Sequence, residues 1–177
     1  MEIAELGRRV HATAHLTGEF VLRSGQVVGE YFDKYRFEAD PVLLDAIAEA
    51  MVPLVPADTE VLAGLEMGGI PVVTALGRRT GLPCAFVRKQ AKEYGTRRLA
   101  EGAETAGRHV TIVEDVVTTG GQIVLSTQEL RVQGAHITDA LCVINRNPTT
   151  PQALLDAGLT LHARFTSQDL ATAATTS

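Results

Sequence analysis

Apolar residues recur along this chain in two periods, and the switching between them predicts alternating helices and strands. Ile3, Leu6 and Val10 are spaced three and four apart and predict a helix over residues 2–14, closed by Gly18. Residues 19–23 and 30–33 read as two short strands on either side of Ser24-Gly25. Asp40-Pro41 predicts a helix start, with Asp as the N-cap and Pro at the first helical position. Leu44, Ile47, Ala48 and Met51 continue its apolar face until Pro53 and Pro56 close it. Apolar runs at 60–64, 84–87, 109–113, 135–144 and 159–165 read as strands. Helices are expected from Pro71 to about Arg79, after Gly121 with Ile123, Leu125 and Leu130 up to Gly134, and over 151–157. A last helical turn is expected at 166–170, with a frayed tail at 171–177. Strands this apolar on both faces suit a covered parallel sheet. The expected class is therefore α/β, a central, mostly parallel sheet flanked by helices, in a single domain over residues 1–177.

Composition narrows the function classes. A net charge of −5 argues against a general nucleic-acid or membrane-surface binder. No apolar run reaches the ~18 residues of a membrane span, and the start M-E-I-A-E-L-G-R-R-V does not read as a signal peptide. Cys84 and Cys142 lie in apolar runs and read as buried free thiols of a reducing cytoplasm. The five histidines show no ligand spacing, so a structural zinc site is not expected.

The chemistry concentrates in residues 109–122, H-V-T-I-V-E-D-V-V-T-T-G-G-Q. A buried-type strand leads to the carboxylates Glu114 and Asp115 and then to a turn, Thr118, Thr119, Gly120 and Gly121, that opens a helix. In open α/β sheets ligands bind at the carboxyl ends of strands. A glycine turn at a helix start offers backbone N–H groups to a phosphate. Two carboxylates beside a phosphate need another partner, and sugar hydroxyls, directly or through Mg²⁺, supply one. Together these describe a site for a ribose phosphate.

Other stretches fit around it. Leu65-Glu66-Met67-Gly68-Gly69 is a second strand-to-helix turn, readable as a second anion cradle or as a plain close-packed turn. R-K-Q-A-K-E-Y-G-T-R-R-L-A-E-G, residues 88–102, carries five cations and few large apolar groups. Such a run is commonly a solvated face. In an acidic chain, between two cradles, it reads as a mobile anion-binding loop with Arg88, Lys89 and Lys92 clustered. Arg23, Tyr31, Phe32 and Lys34 are close in sequence and suit either a planar anionic ring or simple cross-strand packing. Arg146 follows a strand on the same sheet edge as both turns.

Residues 113–121, V-E-D-V-V-T-T-G-G, resemble the phosphoribosyl-pyrophosphate (PRPP) motif of the type I phosphoribosyltransferases. The resemblance extends over about residues 16–150 and points to the orotate-using branch. R-K-Q-A-K-E-Y-G resembles that branch's catalytic loop R-K-x-x-K-x-H-G, residues 64–71 resemble its pyrophosphate loop, and L-R-S-G with Y-F resembles its N-terminal hood. The resemblance implies a hood at about 16–38, a flexible loop at about 88–107, and transfer of phosphoribose from Mg-PRPP to orotate. It implies Lys92, Arg88 and Asp115 as catalytic. PRPP would be held by Arg88, Lys89, Lys92, Tyr94, Glu114, Asp115 and residues 116–122, namely Val116, Val117, Thr118, Thr119, Gly120, Gly121 and Gln122, with Gly68 and Gly69. Orotate would be held by Thr118, Arg146, Arg23, Tyr31 and Phe32. The protein would coordinate Mg²⁺ mainly through PRPP, near Glu114 and Asp115, and a homodimer would share the loop in trans.

Five positions depart from the family pattern. Tyr94 stands where many members have a loop His, and a phenol with a pKa near 10 is no proton carrier at pH 7. Arg23 replaces a Lys, Val27 and Val28 replace polar residues, and Gln122 replaces a Ser or Thr. Two other functions remain open: a sister enzyme acting on a purine or uracil base, and a PRPP-sensing regulator of the same fold. Arg146 favours orotate, whose carboxylate it can pair. The acidic charge disfavours a nucleic-acid-binding regulator.

Overall fold

The computed structural model describes residues 1–21, 24–89 and 99–175. In chain order its elements are α1 (Ile3–Ala14), β1 (His15–Val21), β2 (Val27–Phe32), α2 (Tyr35–Ala39), α3 (Pro41–Met51), β3 (Val61–Leu65), α4 (Gly69–Thr80) and β4 (Cys84–Val87). They continue with β5 (Ala100–Gly102), β6 (His109–Val117), α5 (Gly121–Val132), β7 (His136–Asn145), α6 (Gln152–Asp156), β8 (Thr160–Thr166) and α7 (Ser167–Thr175). A short 3₁₀ turn, Val52–Leu54, follows α3 and contains the expected helix-ending Pro53.

Six strands form one sheet in the order β5-β4-β3-β6-β7-β8. All neighbours are parallel except the β4–β5 edge pair. The period-2 alternation of strand side chains explains the two-sided core. Leu62, Val113, Leu141 and Val143 join α1, α3 and α4 on one face. Val61, Ala63, Ile112, Ala140 and Cys142 join α5 and α6 on the other. Because α4 and α5 cover opposite faces, the connections leave β3 and β6 in opposite directions. The carboxyl ends of those two strands therefore flank the topological switch point, where open sheets form a crevice.

The helix start at Asp40 is as the sequence predicts: its carboxylate accepts from the amides of Val42 and Leu43, both at 3.0 Å. Several boundaries differ from expectation. The first helix ends at Ala14 as expected, but Gly18 does not close it: that glycine lies inside β1 at φ +155°, where the β1–β2 register shifts. The β1–β2 hairpin is a separate two-stranded sheet, so its residues had no helical stripe to extend. Residues 100–102, expected in a mobile loop, form edge strand β5, which pairs Val87 with Ala100 and Ala85 with Gly102. Leu125 lies on the outer face of α5, whereas Ile123, Ser126, Thr127 and Leu130 are buried. The tail expected to fray is helical through Thr175: Leu170 is buried, and Ala173 lies over Gly7 of α1, whose missing side chain lets the two helices approach. Cys142 is buried and Cys84 half-buried, both as free thiols, and burial raises both thiol pKa values. Among the described residues no helix is long and apolar enough to cross a membrane.

Candidate active site

Strand β6 carries the acidic pair, and it runs further than the apolar pattern suggests. Pairing with β7 continues from Glu114 opposite Cys142 to Val117 opposite Asn145, so both carboxylates belong to the strand itself. Adjacent strand residues point to opposite faces. Glu114 lines a cavity of about 130 Å³ together with Thr118, Thr119, Gly120, Gly121 and Gln122. Asp115 turns the other way and is fully buried.

The turn after β6 has the form of an anion cradle. Gly120 adopts φ +76°, and a Cβ there would come within 2.8 Å of Leu154 Cγ, so glycine is required twice over. Helix α5 then starts at Gly121, whose N–H donates to Thr119 Oγ1 at 3.4 Å, and the first-turn residues Gln122 and Ile123 line the cavity. Thr118 and Thr119 are exposed and add hydroxyls. The Gln122 amide donates to Ser126 at 3.1 Å, so this side chain is used within the helix, and its contribution to the cradle is its backbone N–H. Asn147 braces the turn by donating to Thr118 O at 2.5 Å.

The second glycine turn lies beside the first across the switch point. Gly69 is where α4 begins, and a Cβ on it would sit 2.5 Å from Val113 O. Gly68 faces Asp115 so closely that a Cβ would fall 1.7 Å from Oδ2. These glycines are thus demanded by packing between the two turns, and they bring the backbone of 66–69 onto the acidic strand. Glu66 Oε1 accepts from Lys89 N at 2.5 Å, tying the start of the cationic segment to this turn. Arg88 lies beside Glu101, with Nε 3.9 Å from Oε1. Lys92 and Tyr94 of that segment, and Arg23 of the hairpin, lie outside the described residues.

Lys34, grouped in sequence with the candidate ring-binding residues, and Glu38, given no role there, complete the acidic cluster. Lys34 Nζ is 2.6 Å from Asp115 Oδ2, and Glu38 is buried against the same carboxyl. Glu38 Oε1 meets no N–H or O–H donor; the Asp115 carboxyl it faces attracts it only through a shared proton. Burial first, then the hydrogen bond to Asp115, pushes Glu38 up to about 9. The same two causes push Glu114 up to about 9. Burial acts to raise Asp115 too, but hydrogen bonds from Glu38, Glu114 and Lys34 outweigh it and hold Asp115 below the usual carboxylate range. Burial would lower Lys34; its bond to Asp115 outweighs this and keeps the ammonium charged. The signal available in the sequence was the i, i+4 spacing of Lys34 and Glu38.

A second cavity lies next door. Arg146 N donates to Val117 O at 2.8 Å, so its side chain starts beside the phosphate turn. Its guanidinium lies 5.7 Å from the Phe32 ring centroid. Arg146, Tyr31 and Phe32 line a cavity of about 260 Å³ together with His11, His15 and Glu30. The two histidine rings stack at 4.7 Å, and His15 Nε2 is 3.2 Å from Glu30. Burial first, then the neighbouring His15, lowers the pKa of His11. A divalent cation of the Mg²⁺ class needs few protein ligands when phosphate oxygens and water supply the rest. Glu114, whose side chain lines the turn cavity, would meet such a cation by giving up its proton, whereas the oxygens of Asp115 are occupied by Lys34 and by Val116 N at 2.6 Å.

Known proteins resemble this chain in both sequence and fold. The phosphoribosyl transferase domain model matches residues 37–160. An orotate phosphoribosyltransferase of Nocardioides sp. is 49% identical over 167 residues, covering 94% of this chain and 93% of its own length. The crystal structure of Mycobacterium tuberculosis H37Rv orotate phosphoribosyltransferase in complex with Fe(III) dicitrate superposes with a TM-score of 0.86 at 30% identity, covering 95% of this chain and 98% of that one. The same enzyme in complex with PRPP gives a TM-score of 0.81 at 27% identity, covering 96% and 98%. The chain belongs to the phosphoribosyltransferase family, in its orotate phosphoribosyltransferase branch.

Proposed function

We propose that this protein transfers the 5-phosphoribosyl group of PRPP to N1 of orotate, giving orotidine 5′-monophosphate and pyrophosphate in pyrimidine biosynthesis. The observation that carries the reading is the Arg146 N–H···O=C Val117 bond. It sets a guanidinium suited to a carboxylate directly beside a turn suited to a phosphate. The relative from Nocardioides sp. and the Mycobacterium tuberculosis enzyme solved with PRPP support the same substrates.

In the reaction the bond from the anomeric carbon to pyrophosphate breaks, the bond to the ring nitrogen forms, and the orotate N1 proton is lost. Charge builds on the leaving group while the sugar becomes oxocarbenium-like, so positioning and cationic stabilisation supply most of the catalysis. The amides and hydroxyls of residues 118–122 would hold the 5′-phosphate. Glu114 would meet the ribose hydroxyls, with Asp115 behind it. Gly68 and Gly69 would bring their turn against the pyrophosphate. Arg88 and Lys89, at the base of the cationic segment, with Lys92 and Tyr94 further along it, would cover the leaving group and exclude water. Arg146 would pair with the orotate carboxylate, with Tyr31, Phe32, Thr118 and Arg23 around the ring. Mg²⁺ carried on PRPP would neutralise the pyrophosphate. The same reading carries a homodimer with the loop reaching the neighbouring subunit, and a cytoplasmic location.

The test is the fall in orotate absorbance on mixing purified protein with PRPP, Mg²⁺ and orotate, with parallel reactions on uracil, hypoxanthine and adenine. Turnover with orotate alone is expected. Turnover with a neutral base instead would overturn the role given to Arg146. PRPP binding without turnover on any base would point to a regulator.

A further inference from the structure

Asp115 has an unusual setting for a group beside a polar substrate. It is fully buried, with Oδ1 accepting from Val116 N at 2.6 Å and Oδ2 lying 2.6 Å from Lys34 Nζ. Above it, the Gly68 backbone is so near that any side chain there would overlap Oδ2. The carboxylate is thus wedged between the acidic strand and the neighbouring glycine turn. A buried carboxylate without a counter-charge carries a large desolvation penalty, and truncating one partner of such a pair strands the other. Here the counter-charge arrives from the hood: Lys34 lies between β2 and α2, two residues beyond Phe32 of the base cavity. Its side chain is only 33% exposed, and it reaches across the domain to the core strand.

Resting on the reading of the site given above, we propose that Lys34 is a positioning residue for phosphoribosyl transfer: its ammonium pins the Asp115 carboxylate under the Gly68 turn, fixing the distance between the two turns that grip PRPP. Glu38, four residues on, packs against the same carboxyl and leaves Lys34 as its one ionic partner among the described residues. Without the ammonium, Asp115 has either to take up a proton or to swing towards water, and both change the floor on which the Gly68 backbone rests. Lys34 acts through Asp115 and touches no reacting atom, so its loss belongs in PRPP affinity. The chemistry of bound substrate and the Arg146 contacts stay as they are.

The experiment is calorimetric titration of PRPP, with Mg²⁺ in the buffer, into the wild-type protein, K34M, D115N and the K34M/D115N double variant. The expected result is PRPP affinity weakened about tenfold in K34M, with no further loss when K34M is added to D115N, the mark of residues acting as one unit. Orotate KM in K34M is expected to stay within about twofold of wild type, the split between substrates that a general loss of structure would not give. Unchanged PRPP affinity in a folded K34M, or additive effects of K34M and D115N, overturns the proposal. A wild-type protein that binds no PRPP overturns the reading of the site together with the proposal, whereas normal wild-type binding beside an unaffected K34M overturns the proposal alone. Should K34M fail to fold, the decision falls to K34A with and without added propylammonium. Recovery of PRPP affinity with the amine but not with n-propanol supports a role for the charge; equal recovery with both overturns it.

Discussion

Gly68 and Gly121 look alike in sequence, each part of a double glycine at a helix start, yet they meet different surroundings. A Cβ at Gly68 would lie 1.7 Å from Asp115 Oδ2, and that carboxylate cannot move aside without leaving Lys34. A Cβ at Gly121 would find its nearest neighbour, Thr119 Oγ1, at 3.6 Å. Gly68→Ala is therefore expected to destabilise the fold by about 1–3 kcal/mol, the usual cost of forcing atoms into a filled site, and to abolish most PRPP binding. Gly121→Ala is expected to be neutral or slightly stabilising, by up to about 1 kcal/mol, because alanine lowers the entropy of the unfolded chain and suits a helix. Denaturant melts of both variants check this, and equal losses would show that space is not what separates them. At this scale the sequence discloses the residue types but not their neighbours. Glycine pairs mark both turns, whereas Asp115 reads as a ribose ligand until its burial and its ion pair with Lys34 are known.

Short helix α2 carries a second consequence, one of pH. Glu38 is only 7% exposed and its carboxyl rises to about 9, from the 4.5 expected for a free glutamate. Between those two values the folded protein holds a proton that the unfolded chain has released, so stability falls as pH rises, by at most about 1.4 kcal/mol per pH unit for one group. Glu114 adds a slope of the same sign. The depressed Asp115 works in the opposite direction, but only at pH below its ordinary value of 3.8, outside this window. Glu38→Gln keeps a donor towards Asp115 and removes one titration. The variant is expected to match wild type near pH 5 and to exceed it in stability by pH 8, with a shallower slope between. Thermal melts across pH 5 to 9 measure this, and parallel slopes for the two proteins would rule out a proton on Glu38. At the element scale, legibility follows periodicity. The helix at Asp40-Pro41 and the strand at 84–87 stand where the pattern puts them, because a local cap decides the one and a short apolar run the other. Strand β5 and residues 171–175 of α7 were not legible, since one depends on pairing with β4 and the other on the gap that Gly7 leaves in α1.

Across the whole molecule, the two halves of the site come from opposite sides of the switch point between β3 and β6. The phosphate turn, the glycine turn and the acidic cluster gather there, while the ring cavity forms one strand further along, where the end of β7 meets the hood and the N-terminal helix. The order of strands is a long-range property that a motif cannot show, although the motif does show which strand ends carry chemistry. His11, His15 and Glu30 join the ring cavity only because α1 and the hairpin fold back over β7, and nothing in their spacing announced it. This separation predicts that the two substrates can be weakened independently. Arg146 reaches the ring cavity with its side chain but meets the phosphate turn only through its backbone N–H, a contact that any residue keeps. Arg146→Ala is thus expected to raise the apparent orotate KM by about 10- to 100-fold, the value of a lost charge-assisted hydrogen-bond pair of roughly 1.5–3 kcal/mol, while PRPP affinity changes by less than about threefold. Steady-state kinetics with each substrate varied in turn separates the two effects. Equal losses for both substrates would mean that the guanidinium serves the phosphoribosyl half as well, and that the ring belongs elsewhere on this edge of the sheet.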